Sequence, residues 1–200
     1  MLRFLRFVRI ASVLLICVLA GYYAGNYFWS DAPGNAPELE QPLVTTLPDF
    51  RLGDLNGDSR SILEWSDKSL LINFWATWCA PCRREMPLLQ TLQDERSAEN
   101  FQVIGVAVDR LPDVTAFIAE SGVTYPILVG QQDAMEAAER FGPEFLGLPF
   151  SIFVAPGGDV LALHAGELHR EDLRAILAIA DQVAAGRLDP ERARQQLTAL

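Results

Sequence analysis

Between residues 70 and 185 the chain switches hydrophobic period repeatedly, and this alternation restricts its fold more than any other feature. Apolar runs rich in β-branched and aromatic residues occur at 70–75 (LLINFW), 103–108 (VIGVAV), 125–130 (YPILVG), 150–155 (FSIFVA) and 160–165 (VLALHA). Runs of this length without polar alternation read as strands buried on both faces. Stretches with helical spacing lie between most of them, at 80–97, 112–121 and 133–141. Another follows the last run at 170–185, with a short C-terminal piece at 190–199. Only Pro156-Gly157-Gly158-Asp159 separates the last two runs, which makes them a hairpin. The expected fold class is α/β, a mixed sheet covered by helices on both faces. Hydrophobic residues make up 50% of the 200, enough to fill such a core, and 3 cysteines are too few for a disulfide scaffold.

The first 29 residues differ. Ile10 to Trp29 is a run of 20 positions without Asp, Glu, Lys or Arg, long enough as a helix to span about 30 Å, the thickness of a bilayer core. Arg3, Arg6 and Arg9 precede it, and the chain beyond residue 29 carries 13 basic and 26 acidic side chains, a net of −13. The positive-inside rule then puts the N-terminus in the cytoplasm and the acidic body outside. A cleaved signal peptide is the alternative, with Val18-Leu19-Ala20 as an acceptable cleavage site. Tyr22, Tyr23, Tyr27 and Trp29 sit where an interfacial aromatic belt belongs and favour an anchor. Cys17 follows Ile16, where bacterial lipoprotein signals have a small residue, and reads as inert in lipid. Residues 30–48 hold Pro33, Pro37, Pro42 and Pro48 and no hydrophobic period. The expected organisation is an anchor or uncleaved signal at 1–29, a linker at 30–46, the α/β domain at 47–187 and a short helix or tail at 188–200. A body this acidic offers no basic face to nucleic acid.

The chemistry is concentrated at Trp78-Cys79-Ala80-Pro81-Cys82. A strand ends just before this segment and helical spacing starts just after it, so Cys79 falls at a helix N-terminus and Cys82 in the first turn. Unpaired N–H groups and the positive end of the helix dipole favour a thiolate at Cys79, and the thiolate is the species that attacks a disulfide. Cys82, three residues on, is close enough to attack the resulting mixed disulfide and release the reduced partner. Pro81 suits the first turn, where its missing N–H costs little. Covalent haem attachment would need His at position 83, which is Arg. A zinc site built from Cys79-x2-Cys82 and His164-x4-His169 has acceptable spacings, but 81 residues separate the pairs. A structural disulfide across two residues closes too small a loop to stabilise much. Redox chemistry fits best, with no metal or other cofactor expected.

Residues 73–87, NFWATWCAPCRREMP, resemble the active-site segment of thioredoxin-like proteins. More narrowly they resemble the membrane-anchored TlpA/ResA/CcmG-like thiol-disulfide oxidoreductases of bacteria. The resemblance runs from about Leu47 to Ala185. It implies a thioredoxin fold over 47–187 with an extra central strand–helix unit, at about 101–121 or 125–141. Pro87 matches the proline that kinks the active-site helix, and Gly147-Leu148-Pro149 is similar to the cis-proline loop that faces the cysteines and pairs with substrate backbone. The resemblance also implies a redox disulfide between Cys79 and Cys82, with substrate contacts at Trp78, Ala80, Pro81, Leu148 and Pro149. One departure concerns proton transfer. Thioredoxins proper carry a buried Asp in the strand before the motif, where this chain has Asn73, which cannot take a proton. Glu85 lies three residues past Cys82 and resembles the glutamate that ResA-like members keep near their cysteines. It is the expected acceptor of the Cys82 proton, and a solvated helix glutamate beside Arg83 and Arg84 is the alternative.

Trp75 reads as a core aromatic and Trp78 as a shield and partner contact. Asp109 reads as a turn or cap residue with no assigned role, His164 as a structural histidine, and His169 as a surface residue near a helix start. The resulting expectation is a single-pass inner-membrane protein with its catalytic domain on the periplasmic side. It would reduce disulfides of selected proteins, such as an apocytochrome c haem motif or a copper-site protein, through catalytic Cys79, Cys82 and Glu85. A membrane electron donor of the DsbD or CcdA type would recharge it. The direction of electron flow comes from the resemblance alone. A thiol oxidase or general antioxidant thioredoxin is the alternative within the class. From another class comes a Cu(I) metallochaperone binding through the Cys79 and Cys82 thiolates, with Met86 nearby and Met135 distant. A peroxiredoxin-like peroxidase would want its cysteine flanked by Pro and Thr in a different loop.

Overall fold

The longest apolar runs form the middle of the sheet, where both faces are covered. The computed structural model describes residues 44–199 apart from 143, 144 and 146. The expected anchor at 1–29 and most of the expected linker lie outside the described residues. Among the described residues no helix is long and apolar enough to cross a membrane. The chain runs through β1 (Arg51–Asp54), β2 (Ser59–Ser61), a 3-10 turn (Ile62–Trp65), β3 (Ser69–Trp75), α1 (Ala80–Glu95), β4 (Phe101–Val108), α2 (Leu111–Ser121), β5 (Ile127–Gly130) and α3 (Gln132–Glu139). It closes with β6 (Phe150–Val154), β7 (Val160–Ala165), α4 (Arg170–Ala184) and α5 (Pro190–Thr198). The strand order is β2-β1-β5-β4-β3-β6-β7. Strands β3, β4 and β5 are mutually parallel, and the remaining pairings are antiparallel.

Alternate residues of the central strands face opposite layers. Ile72, Phe74, Ile104, Val106 and Leu128 meet Ala134, Ala137 and Ala138 of α3 on one side. Leu71, Trp75, Val103, Ala107 and Phe153 meet Met86 and Leu89 of α1, Val114 of α2 and Leu173 and Ile176 of α4 on the other. Full burial of each such Leu, Ile or Phe contributes about 1.5–3 kcal/mol. Helix α5 lies against the β7 side, with Ala193 packed among Ala155, Leu161 and Ala180.

Two strand–helix units, β4–α2 and β5–α3, separate Cys82 from Pro149. Strand β5 starts at Ile127 rather than at 125, because Pro126 has no N–H to give the ladder. The hairpin β1–β2 has no counterpart among the expected elements. Its strands are four and three residues long and polar, RLGD and SRS, and its turn is held locally by Asp54 Oδ1, which accepts from Asn56 N (2.8 Å) and Asp58 N (3.1 Å). Pairing also begins before the expected domain start at 47, since Thr45 O accepts from Val160 N at 2.9 Å.

Candidate active site

Strand β3 ends at Trp75 and α1 begins after four intervening residues, so the segment Ala76–Cys79 sits at the carboxyl edge of the sheet. Asp109, just past the neighbouring strand β4, holds this segment. Its Oδ2 accepts from Thr77 N (3.1 Å) and Thr77 Oγ1 (2.5 Å), while Oδ1 accepts from Arg110 N (2.8 Å). Partial burial opposes the charge on Asp109, but these hydrogen bonds outweigh it and hold the carboxyl below its ordinary range. Asp109 thus braces the residues that lead into Cys79, a part the sequence did not reveal because an Asp after a strand is ordinary turn chemistry.

Cys79 is the N-cap of α1, and its Sγ accepts from Cys82 N at 3.3 Å. It is disulfide-bonded to Cys82. Cys79 keeps 5% of its surface exposed and Cys82 none, so of the two only Cys79 has surface left to offer a partner. No acidic residue occupies the first turn of α1, leaving the dipole's positive end uncompensated. Trp78 is 70% exposed, Ala80 is exposed and Pro81 half-buried, and these three surround the accessible sulfur in the chain. The Leu148–Pro149 peptide is cis, and Leu148 packs against the cluster that contains both cysteines. Pro87 lies inside α1 and cannot donate to the carbonyl of Arg83.

Glu85 is 1% exposed, which removes the alternative of a solvated helix glutamate. Its Oε1 accepts from Asn73 Nδ2 and its Oε2 from Leu168 N, both at 2.7 Å. Asn73 Nδ2 also donates to Ser151 Oγ at 3.0 Å, across the β3–β6 register in which the two residues are partners. Burial pushes the Glu85 carboxyl up to about 7, against the two hydrogen bonds and despite them. A carboxyl of that affinity exchanges a proton near neutral pH, and it sits one helical turn behind Cys82. Beside it, Arg84 pairs with Glu167, so two consecutive α1 residues hold two consecutive residues of the loop before α4.

His164 and His169 do not join this site as ligands. Ser151 and His164 are register partners on β6 and β7, and His169 is the exposed N-cap of α4. Among the described residues no three His, Cys, Asp or Glu side chains come together as a cation would require. Trp75 is fully buried. Ser151 and the Leu168 N–H were missed at the sequence level. Ser151 had a signal, being the polar residue within the strand FSIFV, whereas a backbone N–H has none.

A disulfide between a helix N-cap cysteine and a fully buried one a turn later, with a neutral-range carboxyl one turn further on, defines a dithiol oxidoreductase site. The sequence pattern of the redoxin family matches residues 44–177, and the chain belongs to that family. It is a thiol-disulfide oxidoreductase of the TlpA/ResA/CcmG-like group with a thioredoxin-like fold. It is 30% identical over 166 residues to the thiol-disulfide oxidoreductase ResA of Geobacillus kaustophilus, covering 82% of this chain and 90% of the relative. It is also 30% identical over 170 residues to the thioredoxin-like protein YneN of Bacillus subtilis, covering 82% and 93%. Among solved structures, a thiol:disulfide interchange protein of the thioredoxin family from Chlorobium tepidum is similar with a TM-score of 0.61 and 28% identity, over 68% of this chain and 95% of that one.

Proposed function

We propose that the chain is an extracytoplasmic, membrane-tethered reductase of selected protein disulfides, with Cys79 as nucleophile, Cys82 as resolving thiol and Glu85 as proton acceptor. The observation that carries this reading is the asymmetry of the pair, Cys79 at the N-cap of α1 with some surface exposed and Cys82 fully buried. In the reduced enzyme the Cys79 thiolate attacks one sulfur of a substrate disulfide, forming a mixed disulfide and expelling the other sulfur as a thiolate. Cys82 gives its proton to Glu85 and attacks Cys79 Sγ. The second substrate sulfur leaves as a thiolate, the substrate gains two electrons and Cys79–Cys82 becomes the disulfide. A membrane dithiol carrier of the DsbD or CcdA kind restores the thiols. Trp78, Ala80 and Pro81 border the substrate cysteine, and Leu148 and Pro149 flank its backbone.

The tether rests on the 20 uncharged residues behind three arginines, with residues 30–46 as spacer between the anchor at 1–29 and the domain at 47–187. The substrate class, for which an apocytochrome c haem motif or a copper-site protein is the candidate, rests on the resemblance. Insulin reduction with a dithiol supply tests the chemistry. Wild type should be active, Cys79→Ser inactive, and Glu85→Gln slowed about 100-fold or more. Activity surviving in Cys79→Ser overturns the nucleophile. The chain should stay with membranes at high salt, and a mature N-terminus at Gly21 overturns the tether.

A further inference from the structure

Three side-chain polar atoms among the described residues are buried without a hydrogen-bond partner: Asn73 Oδ1, Trp75 Nε1 and Tyr125 Oη. Buried polar groups are nearly always paired, with protein or with internal water, so each needs an explanation. Two of the three residues adjoin Gly105 of β4, and the third is its register partner. Strand β3 lies between β4 and β6. The Asn73 Nδ2 is directed toward β6, where Ser151 Oγ accepts it. On the other side of β3, the register partner of Asn73 on β4 is Gly105. The space over Gly105 is taken by Ile127, the Trp75 indole nitrogen and the Tyr125 ring. A Cβ at position 105 would lie 3.1 Å from Trp75 Nε1, 3.1 Å from the Tyr125 ring and 2.7 Å from Ile127 Cδ1. Glycine at 105 therefore leaves room for the indole N–H and the Tyr125 ring beside the register position of Asn73.

We propose that Asn73, Trp75 and Tyr125 form a binding site for one internal water, and that Tyr125 is a positioning residue acting through this water and Asn73 on Glu85. Each of the three atoms gains a partner. Trp75 N–H and Tyr125 O–H each donate to the water, and the water donates to Asn73 Oδ1, which satisfies all three atoms and gives the water three partners. Donation into Oδ1 polarises the amide and strengthens the Nδ2–H bond to the Glu85 carboxylate. The water site favours the ionised form of Glu85, so it tunes the pH at which Glu85 accepts the Cys82 proton. The other groups bearing on Glu85 are Glu167 and His169 in the loop before α4, and Arg84 on α1, which pairs with Glu167. The functional consequence rests on Glu85 as proton acceptor, whereas the water site does not.

Tyr125→Phe in the full-length chain, disulfide intact, tests this. Deleting a buried hydroxyl that has no partner stabilises a protein, and deleting one that holds a water does the opposite. The expected results are a lower urea midpoint, a Glu85 carboxyl titration by carbon NMR displaced upward by about 0.2–0.3 pH unit, the scale of the strengthening that one bond in a relay lends the next, and an ordered water on Trp75 Nε1 in a high-resolution crystal structure of the wild type. A raised urea midpoint, or an unmoved Glu85 titration, overturns the proposal. Glu85→Gln with an unaltered exchange rate would instead remove Glu85 as proton acceptor and leave the Tyr125→Phe stability result standing.

Discussion

Glu85→Gln should change how stability depends on pH, and the size of the change follows from the burial of this carboxyl. The group titrates at about 7 in the folded chain against 4.5 as its ordinary value. Below 4.5 it is protonated in folded and unfolded chains alike. Between 4.5 and about 7 only the native state keeps the proton, and above that the native state must bury an anion. The stability linked to this proton is fully present at low pH and is lost as pH rises through about 7, a total of about 3 kcal/mol. Glutamine cannot titrate. Its amide nitrogen must face one of two donors, Asn73 Nδ2 or Leu168 N, at a cost of about 1–3 kcal/mol, but that cost is the same at every pH. The discriminating quantity is therefore the slope. From about pH 5 to about pH 8 the wild type should lose about 2–3 kcal/mol more than Glu85→Gln, measured by urea unfolding with the disulfide intact. Parallel stability profiles for the two proteins would refute the reasoning, because they would mean that Glu85 titrates alike in the folded and unfolded chains.

Asp109→Ala removes the acceptor of the Thr77 N–H and hydroxyl and should cost about 1.5–3 kcal/mol in urea unfolding, with slower insulin reduction as the segment before Cys79 loosens; unchanged kinetics would deny Asp109 a positioning part. Asn73→Asp places a second carboxyl against Glu85, at the 2.7 Å contact now made by Nδ2. The pair should share one proton and titrate in two separated steps by carbon NMR, and two overlapping titrations near the ordinary carboxylate value would count against that contact. Phe74 is fully buried with Phe50, Phe141 and Phe150 rings 6.2–6.4 Å away, so Phe74→Ala should cost about 3–5 kcal/mol in the same assay. A loss under about 1 kcal/mol would show that the α3 face repacks freely.

Elements whose residues are buried on both faces were legible, since a strand such as VIGVAV has few other places to go, and the active-site helix announced itself through Pro81 and the strand before it. The β1–β2 hairpin was not, because its polar strands carry no apolar run and are held by a turn and by pairing to β5. At the site, Cys79 and Cys82 were legible from spacing alone. Glu85 was ambiguous between a solvated and a buried carboxyl, since helical position next to Arg83 and Arg84 says nothing about which way the loop at Leu168 closes. What decides it is tertiary: a backbone N–H from the loop before α4 and an amide from β3 converge on one carboxylate. Asn73 and Ser151 interrupt two apolar strands, and that pair of polar interruptions is the trace of the buried cluster in the sequence. Tyr125 left none, as an aromatic before a strand is ordinary core material.

The central claim is that the reachable Cys79 is the nucleophile and the buried Cys82 the resolving thiol. Limiting alkylation of the freshly reduced full-length chain, followed by peptide mass spectrometry across a pH series, tests this most directly. Cys79 should be labelled first and at lower pH, with Cys82 modified only after the protein is unfolded. Equal labelling of the two cysteines, or labelling of Cys82 ahead of Cys79, would contradict the assignment.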